Sequence, residues 1–111
     1  MTVYIIKPSG ITNFYKIGYT KIRNTEKDTR DYLYKRYRTS YGKNMEIMYL
    51  KTWKTDTIGR QKEQQMFELM SKYRNNKRDE IFICKYSKIQ KKIPILEGKN
   101  IDTNYNCCTI L

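Results

Sequence analysis

The chain opens on a run of β-branched and aromatic residues, Thr2-Val3-Tyr4-Ile5-Ile6-Lys7, which predicts a strand. Pro8-Ser9-Gly10 signals a turn, and Gly10 to Asn13 finish a short loop. Phe14-Tyr15-Lys16-Ile17-Gly18-Tyr19 reads as a second strand, so the first two elements form a hairpin. Polar residues Thr20 to Asp28 then make a loop in which Thr25 or Asp28 is placed to cap a helix. That helix runs through Tyr32 to Tyr37 and ends before Gly42, a helix breaker. Met45 to Trp53 predicts a third strand. From about Thr57 to Tyr73, Met66, Phe67, Leu69, Met70 and Tyr73 recur at helical spacing and predict a long second helix. Asn75-Asn76-Lys77 ends it, and Glu80-Ile81-Phe82-Ile83-Cys84 predicts a short last strand. From about Tyr86 the periodicity fades into basic, then polar sequence. Residues 86–111 therefore read as a poorly packed tail, in which Ile93-Pro94-Ile95-Leu96 is placed to dock on the body. The order strand, strand, helix, strand, helix, strand predicts an α/β (α+β) fold: a small antiparallel sheet of three to four strands flanked by helices. That body occupies residues 1–85.

Composition narrows the chemistry. At 111 residues the chain suffices for one domain and not for two. No stretch approaches the roughly 18 apolar residues of a membrane-spanning helix, and the N-terminus lacks the pattern of a secretory signal. There are no histidines, which excludes Ser-His-Asp and Cys-His catalysis and every His-containing zinc site. Lys and Arg number 23 against 11 Asp and Glu, a formal charge of +12 that attracts polyanions, nucleic acid foremost. Aromatic residues interleaved with the basic ones point the same way. The three cysteines, Cys84, Cys107 and Cys108, form no metal knuckle, and their spacing suits a reducing intracellular compartment, the cytoplasm or nucleus of a host cell.

A signature pair and three further motifs, in order, carry a family likeness. Thr2-Val3-Tyr4 is followed after eleven residues by Lys16-Ile17-Gly18, then by Leu33-Tyr34-Lys35-Arg36-Tyr37-Arg38-Thr39, Glu63 and Glu80-Ile81-Phe82. This series resembles the GIY-YIG nuclease superfamily, most nearly its small viral and phage branch with a KIG-type second motif. The likeness covers roughly residues 2–84. It implies a GIY-YIG-like domain over 1–85 that cleaves DNA phosphodiesters with Mg²⁺ or Mn²⁺, in a protein encoded by a virus or phage. By position it assigns Tyr4, Lys16, Arg36 and Glu63 to the catalytic site, with Glu63 as the metal ligand. Lys16 stands where the superfamily has its second tyrosine, which either relocates that role or removes it. Arg30, four residues before Tyr34, matches an Arg-x-x-x-Tyr spacing found elsewhere in the superfamily and rivals Arg36.

The chemistry of these residues suits the reaction. Phosphodiester hydrolysis needs a group to activate or orient water, positive charge for the phosphoryl oxygens, and a metal or acid at the leaving oxygen. A chain without histidine must draw on Tyr, Lys, Arg and carboxylates. Strand alternation sets Val3 and Ile5 on one face and Tyr4 and Ile6 on the other, with Lys16 and Gly18 sharing a face of the paired strand. Tyr4 is then placed to activate water or orient phosphate; the plainer reading is a cross-strand tyrosine. A guanidinium at Arg36 offers bidentate contacts to phosphate, against the alternative of a solvated helix arginine. On a helix, Glu63 lies within roughly 60° of Met66, Phe67 and Met70, at the edge of the face turned to the sheet, and Glu68 faces solvent. Glu63 is read either as a Mg²⁺ ligand or as a rim residue paired with Lys62 or Lys72, and Glu80 as an anchor of the last strand or a partner of arginine.

The remaining basic residues form a second tier. Arg30, Arg38, Lys72, Arg74, Lys77 and Arg78, continued by Lys88, Lys91 and Lys92, make a candidate track for the DNA backbone. Cys108-Thr109-Ile110-Leu111 fits the C-a-a-X prenylation pattern, with Cys107 as a second lipid site; an inert tail is the other reading. Three function classes follow: a Mg²⁺-dependent DNA endonuclease, a non-catalytic nucleic-acid-binding protein, and a lipid-anchored peripheral membrane protein.

Overall fold

A computed structural model of the chain describes residues 1–21 and 25–98. Its elements in chain order are β1 (Thr2–Lys7), β2 (Phe14–Thr20), α1 (Glu26–Tyr41), β3 (Glu46–Thr52), α2 (Asp56–Leu69), β4 (Ile81–Ile83), α3 (Tyr86–Gln90) and α4 (Ile93–Leu96). The four strands form one sheet in the order β3-β1-β2-β4, antiparallel at every pairing. This is the mixed α/β architecture that the element order predicts. No described helix is long and apolar enough to cross a membrane.

The helices start where the sequence provides acceptors. Thr25 Oγ1 accepts from the Asp28 amide at 3.0 Å, so Thr25 and not Asp28 caps α1, and Thr55 Oγ1 accepts from Ile58 N at 3.1 Å to cap α2. Gly42 ends α1 at φ 90°, its N–H returning to Arg38 O at 2.8 Å.

Both faces of the sheet are covered, which is why β1 is buried from Thr2 to Ile6 without alternation. On one face Tyr4 and Ile6 pack with Leu33, Met45 and the tyrosines of α1. On the other, Ile5, Ile17 and Phe82 pack with Met66, Phe67 and Met70 of α2.

Two expectations need correction. The second helix stops at Leu69, and residues 71–73 form a 3₁₀ turn. Both helix types keep i and i+3 on one side, so apolar spacing over one last turn does not distinguish them. More consequentially, packing does not end at residue 85. The segment read as a loose tail from Tyr86 forms α3 and α4, with Ile93–Leu96 docked on the body as its sequence predicts, and Ile89 and Leu96 are completely buried in the same cluster as Phe82 and Met66. Tyr49 Oη donates to Glu97 Oε2 at 2.7 Å, and the rings of Tyr15 and Tyr86 meet at 5.3 Å. Helices of five and four residues are too short to establish a period, and burial against the sheet supplies the stability their length cannot.

Candidate functional site

The hairpin register opposes Tyr4 to Gly18 and Ile6 to Lys16, so these four residues share the face turned toward α1. Tyr4 lies flat across Gly18: a Cβ at residue 18 would stand 2.6 Å from the phenol oxygen and 2.8 Å from Cζ. The glycine thus creates the seat that the tyrosine occupies. From α1, Leu33, Tyr37 and Tyr41 follow at intervals of four and form a stripe against this face.

Tyr37 is the centre of the cluster. Its hydroxyl and that of Tyr4 are 2.8 Å apart, and its ring stacks on Tyr41 at 5.6 Å. The Lys16 ammonium stands 5.6 Å from the ring centroid and the Arg36 guanidinium 5.2 Å, both at cation–π range. Lys16 is buried and forms an ion pair with the Glu80 carboxylate, so Glu80 meets a lysine and not an arginine. Neither Tyr37 nor Glu80 is among the site residues derived from the sequence. For Tyr37 the signal was the 33-37-41 spacing.

Arg36 and Arg30 take different places. Arg36 is exposed on this tyrosine cluster and donates from Nη1 to Tyr32 Oη at 2.9 Å. Arg30 turns back along its own helix to Glu26, Nε to Oε2 at 3.2 Å.

Glu63 enters from the opposite layer. It stands on α2 among Gly59, Met66, Phe67 and Met70, and is only 1% exposed, so it occupies the middle of the buried face and not its edge. It makes no ion pair with Lys62 or Lys72, and its Oε2 has no hydrogen-bond partner among the described residues. Burial foremost, then the Glu80 carboxylate, push its pKa up to about 7, against the pull of Lys16, Arg60 and Arg74. Glu68 is exposed, as its helix position predicts.

Glu80 also acts on the other face. Burial and the bond to Tyr37 raise the pKa of Tyr4 most, and burial that of Tyr41; the Glu80 charge adds a smaller push in the same direction to both. Tyr4 is a neutral phenol at any physiological pH. On β2, β4 pairs with Phe14, Tyr15 and Lys16, and Ile17 N donates to Glu80 O at 3.0 Å. Gly18 to Thr20 therefore present an outer edge without a ladder partner among the described residues, and Glu80 lies where that edge begins.

The donor set can be compared with what Mg²⁺ requires. No three carboxylate or cysteine side chains gather among the described residues. Mg²⁺ needs no such cage: one or two carboxylates suffice, with water and substrate phosphate filling the other positions. The unpartnered Oε2 of Glu63 fits that single-carboxylate role.

The second tier of basic residues divides. Arg74 is half-buried, its guanidinium 4.5 Å from the Phe67 ring and its Nε bonded to Asp79 O at 2.8 Å, so it is tied into the core's edge and not free along a track. Arg38, Lys77 and Arg78 are exposed. Lys72, Lys88, Lys91 and Lys92 line one concavity. Cys84 is buried with a free thiol, while Cys107 and Cys108 lie outside the described residues. Comparison with protein-family models, with curated proteins and with solved structures finds no match to this chain.

Proposed function

We propose that this chain is a nuclease that hydrolyses DNA phosphodiester bonds at the face formed by Tyr4, Lys16 and Arg36. The observation that carries the reading is the convergence of a phenol from β1, an ammonium from β2 and a guanidinium from α1 on the single ring of Tyr37. Three separated stretches of sequence bring a hydrogen-bond donor and two cations to one place, which suits the charge of a phosphodiester passing through a pentacoordinate transition state.

The neutral Tyr4 hydroxyl orients a phosphate oxygen or the attacking water as a donor. Arg36, exposed and charged at every relevant pH, clamps the phosphoryl oxygens. Lys16 joins it when phosphate oxygen replaces the Glu80 carboxylate as its partner, and Glu80 is then released at the open edge of β2. Glu63, close enough to Lys16 and Glu80 to feel both charges, would hold Mg²⁺ or Mn²⁺, which when bound would supply positive charge for the phosphoryl and leaving oxygens.

A second reading, nucleic-acid binding without cleavage, draws on the same contacts. Tyr4 is bonded to Tyr37 and Lys16 to Glu80, so both groups have internal partners. Supercoiled plasmid separates the two. Nicking should require Mg²⁺ or Mn²⁺ and fall by roughly 10²-fold or more in Tyr4→Phe and Arg36→Ala, the scale of losing one transition-state donor. Arg30→Ala and Glu68→Ala should cut normally. Folded protein that binds DNA and nicks nothing with either metal establishes the second reading.

A further inference from the structure

A concavity of about 250 Å³ lies between the end of α2 and the C-terminal helices, away from the tyrosine cluster. Its walls are Leu69, Lys72 and Tyr73 on one side and Lys88, Lys91 and Lys92 on the other. Four lysines line it and, among the described residues, no acidic residue does. None of the four lysines takes part in an ion pair among the described residues, although Asp and Glu side chains pair with Lys16, Lys27 and Arg30 elsewhere.

We propose that this concavity is an anion site that holds a backbone phosphate of nucleic acid outside the reaction centre. Four like charges facing one small volume repel one another, and the arrangement costs energy until an anion enters it. The fold maintains it through apolar contacts below: Ile89, between Lys88 and Lys91, is completely buried, and so is Met70, between Leu69 and Lys72. The lysines are thus held by packing and not by mutual attraction. The Lys72 ammonium lies 5.5 Å from the Tyr73 ring, leaving an aromatic surface beside the charge.

Position selects the ligand. Leu69 follows Glu63 by six residues, about 9 Å along α2 and a third of a turn around it. Phosphates of one strand rise by about 3.4 Å per nucleotide, so this site lies within a few nucleotides' rise of Glu63, the proposed metal ligand. The inference rests on the proposed function for its class of substrate and not for its chemistry, since a chain that never cuts would use the site equally.

The test measures binding of a labelled DNA duplex by fluorescence anisotropy across salt, without added divalent metal. Lys88, Lys91 and Lys92 are changed together to Gln. A second triple at scattered exposed positions, Lys27, Lys43 and Lys54, changes net charge equally. Loss of the one phosphate held there should lower the log–log salt slope by about 0.9 in the pocket triple, with the scattered triple close to wild type. Equal losses in both would overturn the site, because net charge would then explain binding. Unchanged DNA binding by the pocket triple, with loss of binding to phosphatidylserine vesicles, would overturn it in favour of a membrane surface. Plasmid nicking by the same proteins separates this inference from the nuclease reading: full affinity without nicking removes the latter alone.

Discussion

Glu63→Gln is the substitution from which most follows. The side chain is 1% exposed, has no partner for Oε2 among the described residues, and has its pKa raised from 4.5 to about 7. Between those values the folded chain keeps a proton that the unfolded chain has lost. Stability therefore falls as pH rises through this window and levels off above it. At about 1.36 kcal/mol per unit, the full loss is roughly 3 kcal/mol. Glutamine keeps the shape and removes the titration. Whatever fixed offset the amide introduces, the stability of the variant relative to wild type should increase by roughly 3 kcal/mol from pH 4.5 to pH 8. Urea denaturation at a series of pH values measures this difference directly. On heating, it corresponds to roughly 10 °C for a domain of this size. Parallel stability curves for the two proteins across pH would refute the argument, because Glu63 would then carry no buried charge in the folded state. Mg²⁺ supplies the second arm. At pH 8 it should raise the melting temperature of the wild type by binding the native state, and leave the Gln variant unmoved. Equal shifts in both would exclude Glu63 as the ligand.

Two further substitutions probe the architecture around the site. Gly18→Ala places a methyl 2.6 Å from the Tyr4 hydroxyl oxygen, which should cost about 1–3 kcal/mol by overpacking and reduce nicking by displacing Tyr4; an alanine variant with unchanged melting and activity would show that Tyr4 has another seat. Leu96→Ala, in a residue with no exposed surface, should destabilise the whole domain by about 2–5 kcal/mol in a single cooperative transition, whereas a change below about 0.5 kcal/mol would return residues 86–96 to the status of a tail.

Strand and helix identities over residues 2–84 were legible because each element is long enough to repeat its period, and because glycine, proline and capping threonines mark the boundaries. The alternation of Tyr4 and Ile6 against Val3 and Ile5 is a property of any strand, as is that of Lys16 and Gly18 against Ile17; the register of β1 on β2, with Tyr4 opposite Gly18, put the two sets on one face. The separation of Glu63 from Glu68 is likewise a consequence of helical pitch. Motif order named Arg36, and its rival Arg30 was equally visible as a letter; only the side chains distinguish one that reaches Tyr37 from one that folds back to Glu26.

Local pattern carries no information about which charge finds which partner, since partners distant in sequence meet only through packing. Lys16 and Glu80 are 64 residues apart, and their pairing depends on β4 lying beside β2. The depth of Glu63 depends on how α2 sits on the sheet, and that decides between an edge carboxylate with an ordinary pKa and a buried one raised to about 7. The same holds for α3 and α4, whose nine residues are too few to declare a helix by periodicity and are ordered by burying Ile89 and Leu96. The sequence by itself determined the elements, their faces and the charge, because these follow from interactions within a few residues. Only the tertiary structure decided burial, pairing and the lysine concavity, because each is a sum over atoms that the chain brings together from far apart.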